Sequence, residues 1–201
     1  MKLQKYFLLA MMLCLAASVV SAAALQREQM LLSDKLVRLH VVANSDSKKD
    51  QSLKMKVRDA VLDTARPLLE QADDPRLALQ ENLDAIQESA QRCLLENQVA
   101  DKVCVSFGKE RFPTRQYDSF ALPAGVYTTL RVTIGRGAGH NWWCVVFPSI
   151  CLSTAGEMEA AAAMAGFTDE ELSLITEDGP AYVFKFKFLE LLDRLQKEFS
   201  A

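Results

Sequence analysis

Over nine consecutive positions, 126 to 134, the side chains alternate in character. Val126, Thr128, Leu130, Val132 and Ile134 fall on one side, and Tyr127, Thr129, Arg131 and Thr133 on the other. A period of two, rich in β-branched residues, specifies a β-strand. This strand delivers the chain straight into the segment 134–151, Ile-Gly-Arg-Gly-Ala-Gly-His-Asn-Trp-Trp-Cys-Val-Val-Phe-Pro-Ser-Ile-Cys. That segment holds both tryptophans, two of the five cysteines, one of the two histidines and three of the eight glycines. Glycine permits backbone conformations closed to other residues, and each tryptophan can bury roughly 200 Å² of surface. The Gly135-x-Gly137-x-Gly139 spacing is wrong for a dinucleotide loop, and no Lys-Ser/Thr pair follows for a triphosphate. A tight, permissive turn is expected there.

Other periodic stretches surround this core signal. Residues 37–43 alternate Val37, Leu39 and Val41 with Arg38, His40 and Val42, which predicts a strand. The cluster Asn44-Ser45-Asp46-Ser47 follows, and Ser47 with Asp50 resembles a capping box. Leu53, Val57, Ala60, Val61, Ala65 and Leu68 then recur at helical spacing, predicting a helix over 48–69 that Pro67 should kink or end. Asp74-Pro75 is a second helix start, with Leu79, Leu83, Ile86, Ala90, Cys93 and Leu94 as the apolar stripe of a helix to about residue 96. A strand is expected at 102–107, and turns at Phe112-Pro113 and Leu122-Pro123-Ala124-Gly125. Residues 153–168 read as an Ala-rich linker or helix, and 169–201 as helix, strand and helix. The pattern predicts a single α+β domain: a mainly antiparallel sheet with helices packed on one face, in the order βααββ, followed by a small αβα C-terminal portion. The main domain spans 37–152, preceded by a tether at 25–36.

The amino terminus has a separate character. Lys2 and Lys5 precede an uncharged run that ends in Ser21-Ala22-Ala23-Ala24, the layout of a secretory signal over 1–24. Extended to Leu25, the run is also long enough to be an uncleaved membrane anchor. Export makes disulfides permissible. Cys144 and Cys151 are the expected pair, and Pro148 favours a bend between them. A bridge between Cys93 and Cys104 is geometrically awkward, because Cys93 belongs to a core stripe and Cys104 faces away.

Little in the chain points to chemistry. The charges are mixed and the balance slightly acidic, with no Lys/Arg stripe interleaved with aromatics, which argues against a nucleic-acid protein. No Cys-x-x-Cys occurs, so no zinc site is expected. Asn44, Asp46 and Asp50 offer oxygens but lack the ligand density of a calcium loop, and helix capping explains them. His140 and Cys144, four residues apart, are the minimum for a cysteine hydrolase, but nothing nearby orients the imidazole. Trp142 and Trp143 fill a core or form an apolar patch for a partner.

Three strings carry a resemblance. They are Arg38-Leu-His-Val-Val-Ala-Asn44-Ser45-Asp46-Ser47 with Asp50-Gln51-x-Leu53-Lys54; Phe112-Pro113-Thr114 with Leu122-Pro-Ala-Gly-Val-Tyr127; and Asn141-Trp142-Trp143-Cys-Val-Val-Phe147-Pro148 with Cys151. In that order they resemble the stage II sporulation protein R family over residues 37–151, with a weaker echo at 182–192. One departure is the short Ala-rich stretch after Cys151, where the family commonly carries a longer charged insert.

The resemblance implies a protein made in the forespore and exported into the space between forespore and mother-cell membranes, free or tethered to the forespore membrane. There it would be a non-enzymatic signal to a membrane-embedded aspartic protease, which cleaves the precursor of sigma factor E. No cofactor or metal is implied. The expected contact surface is Gly135, Gly137, Gly139, Asn141, Trp142, Trp143, Phe147 and Pro148, with peripheral contact to a membrane face as a further expectation. Two alternatives from other classes are a secreted cysteine hydrolase using Cys144 and His140, and a wall- or membrane-binding module with the tryptophans as its platform.

Overall fold

The computed structural model describes residues 2–117, 120–148, 166–168, 172, 175–176 and 187. The elements are α1 (Lys2–Lys35), β1 (Val37–Val42), α2 (Lys48–Glu70), α3 (Pro75–Glu81), α4 (Leu83–Glu96), β2 (Val103–Phe112), β3 (Arg115–Gln116), β4 (Ala121–Leu122), β5 (Gly125–Ile134) and β6 (Asn141–Phe147). The fold is α+β, as expected. Four strands form one sheet in the order β2-β5-β1-β6, and β3 pairs with β4 as a small separate ribbon. β5 runs antiparallel to β2, and β6 antiparallel to β1. The central pair β1 and β5 is parallel, in register from Val37 opposite Thr128 to Val42 opposite Thr133. Parallel neighbours need a long crossover, which the helices between them supply.

The helices begin where the caps dictate. Ser47 Oγ accepts from the Asp50 N–H at 3.1 Å and opens α2. Asp74 accepts from the N–H groups of Arg76 and Leu77, with Pro75 in the first turn of α3. Two details differ from the sequence reading. α2 continues through Pro67 to Glu70; Pro67 and Asp63 are both exposed, so the hydrogen bond that proline cannot make falls on the water side. The helix expected over 75–96 is broken at Asn82, whose side-chain amide bonds the Ala78 carbonyl at 2.8 Å.

Leu53, Val57, Val61 and Ala65 of α2, with Ile86, Ala90 and Leu94 of α4, pack on Val37, Leu39, Val41, Leu130, Val132, Ile134 and Val146 of the sheet. The opposite face is also covered. Phe112, Tyr127 and Val145 meet Phe120, Leu122 and Ile175, together with Leu32 and Leu36 from the end of α1 and the residue after it. Every residue of β1 is therefore buried. The end of the stretch expected as a tether is helical, and Leu32 and Leu36 are fully buried, worth about 1.5–3 kcal/mol each. Apart from the few positions given above, the linker 153–168 and the C-terminal portion 169–201 lie outside the described residues.

Candidate functional site

Because β1 and β5 are parallel, the loops that follow them leave the same end of the sheet side by side. The loop after β1 is Ala43 to Ser47, and the turn after β5 is Gly135 to His140. The two are stitched together. Gly139 N–H donates to Ala43 O at 2.9 Å and Ala138 N–H to Asn44 O at 3.2 Å. Arg136 N–H donates to Asn44 Oδ1 at 3.1 Å. His140 N–H donates to Asp46 Oδ1 at 2.6 Å, and the His140 ring pairs with the same carboxylate. Two glycines make this approach possible. Gly135 has φ +54°, and a Cβ at Gly139 would stand 2.3 Å from the Ser45 carbonyl oxygen.

The first turn of α2 braces the corner from behind. The Asp50 carboxylate accepts from Ser45 Oγ at 2.6 Å and Asn44 Nδ2 at 3.2 Å. The Ser45 hydrogen bond holds its pKa below the ordinary aspartate value. Lys54 is buried and donates to Gln51 Oε1 at 2.6 Å and His140 O at 2.9 Å; burial lowers its pKa. Asn44, Ser45, Asp46, Ser47 and Asp50 thus cap a helix and also carry the glycine turn. The sequence reading found only the first of these roles.

Strand alternation sends the two tryptophans to opposite faces. Trp142 packs toward the helices, with the Arg58 guanidinium 4.9 Å from its ring centre. Trp143 lies on the other face, stacked on His40 at 3.8 Å and edge-on to Phe112 at 4.6 Å. His40 Nδ1 is 3.0 Å from both Glu110 carboxylate oxygens, and Arg131 Nη1 donates to Glu110 at 2.7 Å.

Beside this group Arg38 is wholly buried. Its Nε donates to Cys144 O at 3.1 Å and its Nη2 to Tyr117 OH at 2.7 Å. Its guanidinium carbon lies 4.3 Å from the Phe112 ring centre and 5.0 Å from that of Tyr127. Burial lowers the Arg38 pKa and pushes Tyr127 up to about 12.

A groove of about 400 Å³ opens where the corner meets this face, lined by Asp46, Arg115, Gly139, His140, Asn141 and Trp143. The expected contact residues are therefore divided. Gly135, Gly137, Gly139, Asn141 and Trp143 gather at or near the groove. Trp142 faces the helices. Phe147, opposite Val37, and Pro148 lie at the other end of β6, about 20 Å along the strand. Arg38 belongs to the core of the Trp143 face, away from the capping motif. His40, Glu110, Tyr117 and Arg115 were not anticipated as site residues; the available signal was a strand, β1, with basic residues at alternate positions among valines.

Cys144 is fully buried and disulfide-bonded, whereas Cys14, Cys93 and Cys104 are free. Cys151 lies outside the described residues. With the His140 ring held by Asp46, no thiol–imidazole pair forms between His140 and Cys144. Among the described residues no three His, Cys, Asp or Glu side chains cluster as metal ligands.

Residues 33–157 match the family model described as stage II sporulation protein R. The match begins in the last turn of α1 and runs past β6, so it takes in both the corner and the Trp143 face. The stage II sporulation protein R of Bacillus subtilis (strain 168) is 33% identical over 138 residues, covering 67% of this chain and 62% of that protein. The chain thus spans somewhat under two thirds of the relative's length. No solved structure matches. The chain belongs to the stage II sporulation protein R family.

Proposed function

We propose that this protein is an exported sporulation signal that activates a membrane-embedded aspartic protease in the mother-cell membrane, which then cleaves the precursor of sigma factor E. The observation that carries this reading is the family match over residues 33–157, which takes in every strand of the sheet. α1 adds to it: Tyr6–Lys35 is long and apolar enough to cross a membrane, with mean hydropathy 2.4 over its most apolar stretch. In this reading residues 1–24 direct export or anchor the chain in the forespore membrane, and the body stands in the gap between the two membranes. The protein acts as a ligand and makes or breaks no bond itself; it shifts the protease toward its active arrangement by binding that state better. The contact surface is the glycine corner with Trp143, and a Cys144–Cys151 disulfide holds the chain that leaves β6.

The test is a reconstitution. Purified protein is added to cells or membranes bearing the protease and its substrate, and processing of the precursor is scored. Wild-type protein should trigger processing, and Trp143→Phe, which keeps an aromatic ring on His40, should weaken the response while the fold persists. Turnover of a small substrate by the purified protein alone, lost on changing Cys144 or His140, would overturn the reading.

A further inference from the structure

We infer that the groove between the glycine corner and Trp143 receives a carboxylate side chain from an acidic segment of the partner protein, gripped by Arg115 against the Trp143 ring. This rests on the signalling reading above and adds the chemistry of recognition. Arg115 is exposed on β3, with its guanidinium carbon 5.6 Å from the Trp143 ring centre. The arginines beside Trp142 and Glu110 are already matched: Arg58 to Asp59 at 2.6 Å and Arg131 to Glu110 at 2.7 Å. Arg115 has no carboxylate partner among the described residues, and neither does the exposed Arg136 in the adjoining turn. Asp46, the one carboxylate of the lining, is engaged by His140.

Arg115 also stands close enough to the buried Arg38 for the two cations to disfavour each other. Arg38 itself has Nη1 buried without a hydrogen-bond partner. Asp46 is taken up by His140 and by the turn, so Arg115 faces the groove without a carboxylate of its own, and an incoming carboxylate supplies one. A guanidinium presents a fork that matches a carboxylate. The platform is rigid, since Trp143 is fixed by His40 and Phe112, so little ordering cost opposes binding.

Position argues for a protein across the gap over a lipid headgroup of the anchoring membrane. α1 enters the sheet at the start of β1, and the groove opens toward its other end: Trp143 lies opposite His40 and Asn141 opposite Val42, about 10 and 17 Å along the strand from Val37.

The experiment uses the full-length protein with membranes that carry the protease, reading both binding and precursor processing. Arg115→Glu should weaken both by at least about tenfold, with an unchanged unfolding midpoint. Arg92→Glu, on the exposed side of α4, should leave both unchanged. Lysine substitution of one acidic residue in a gap-facing loop of the protease should restore the response to Arg115→Glu. Wild-type activation accompanied by equal activation from Arg115→Glu overturns the groove assignment alone. Loss of binding by Arg115→Glu to protease-free phosphatidylglycerol vesicles, equal to its loss on protease membranes, assigns the groove to a lipid headgroup and also overturns it. Wild-type protein that never activates removes the signalling reading, and this inference with it.

Discussion

Replacing Gly139 by alanine tests whether the corner is a fastened unit. The added Cβ would meet Ser45 O at 2.3 Å, Ser45 C at 2.6 Å and Ala43 Cβ at 2.9 Å. None of these atoms is the free end of a side chain, so no rotamer change relieves the clash. To restore a carbon–oxygen approach of about 3.3 Å the two loops must part by about 1 Å. That carries the Gly139–Ala43 bond, now 2.9 Å, and the Ala138–Asn44 bond, now 3.2 Å, beyond useful range. The His140 N–H bond to the Asp46 carboxylate, now 2.6 Å, weakens with them. At about 1 kcal/mol for each neutral bond and somewhat more for the charged one, the loss is about 3 kcal/mol.

With a urea slope of about 1–3 kcal/mol per molar, the unfolding midpoint should fall by about 1–3 M. Tryptophan fluorescence and circular dichroism should report the same transition. Gly108→Ala is the matched control: nothing lies within 4 Å of its would-be Cβ. In mid-strand alanine is preferred to glycine by about 0.5–1 kcal/mol, so that variant should be unchanged or slightly more stable. A Gly139→Ala protein within about 0.5 kcal/mol of wild type would refute the claim that the two loops hold each other.

Three further outcomes follow from the same geometry. The Asp50 pKa is depressed in the folded state, chiefly by Ser45, so its ionised form contributes stability above the unfolded value of 3.8 and loses it as pH falls through the folded pKa. Asp50→Asn should accordingly lower the unfolding midpoint at pH 7 and converge with wild type near pH 2. Leu32→Ala should destabilise the body by about 2–5 kcal/mol, measured by urea denaturation, and limited proteolysis should spare the chain from the last two turns of α1 to the end of β6. In alkylation followed by mass spectrometry, exposed Cys104 should label quickly. Cys93, buried and with its thiol pushed up by burial, should label slowly, and Cys144 only after reduction; fast labelling of Cys144 without reductant would favour the hydrolase alternative.

What the sequence discloses depends on how many faces of an element are buried. The alternation over 126–134 gives β5 its place and length, and the Ser47 and Asp74 caps start α2 and α3 where expected. In the sequence β6 is hidden inside a glycine- and tryptophan-rich segment, because Trp-Trp-Cys-Val-Val-Phe has no alternation to find. It packs on both faces, and such strands lose the period-two signal. The second half of β2, Gly108 to Arg111, is polar and would not be taken for a strand; its pairing with β5 along the whole length overrides local preference. The corner was half legible. Its capping residues announce themselves locally, but their second task, holding a turn more than 90 residues away, follows only from the parallel pairing of β1 with β5. Arg38 and His40 were the least legible, since burial of a basic residue depends on partners such as Tyr117 and Glu110 that no spacing links to them.

β1 joins these features into one device. Its Val37, Leu39 and Val41 anchor the helix side, Arg38 and His40 organise the Trp143 side, its start receives the docked end of α1, and its end opens into the corner. A signal that works by contact gains from such an arrangement, because each side chain at the groove is held by a buried neighbour before any partner arrives. Trp143 cannot turn without leaving His40 and Phe112, and the turn from Gly135 to His140 cannot lift without breaking its bonds to Ala43, Asn44 and Asp46. Ordering an interface side chain on binding costs about 0.5–1.5 kcal/mol, so fixing even two or three in advance is worth about tenfold or more in affinity. Corner variants such as Gly139→Ala should therefore weaken activation more than Leu32→Ala does at matched overall stability, because only the former loosens the proposed contact surface.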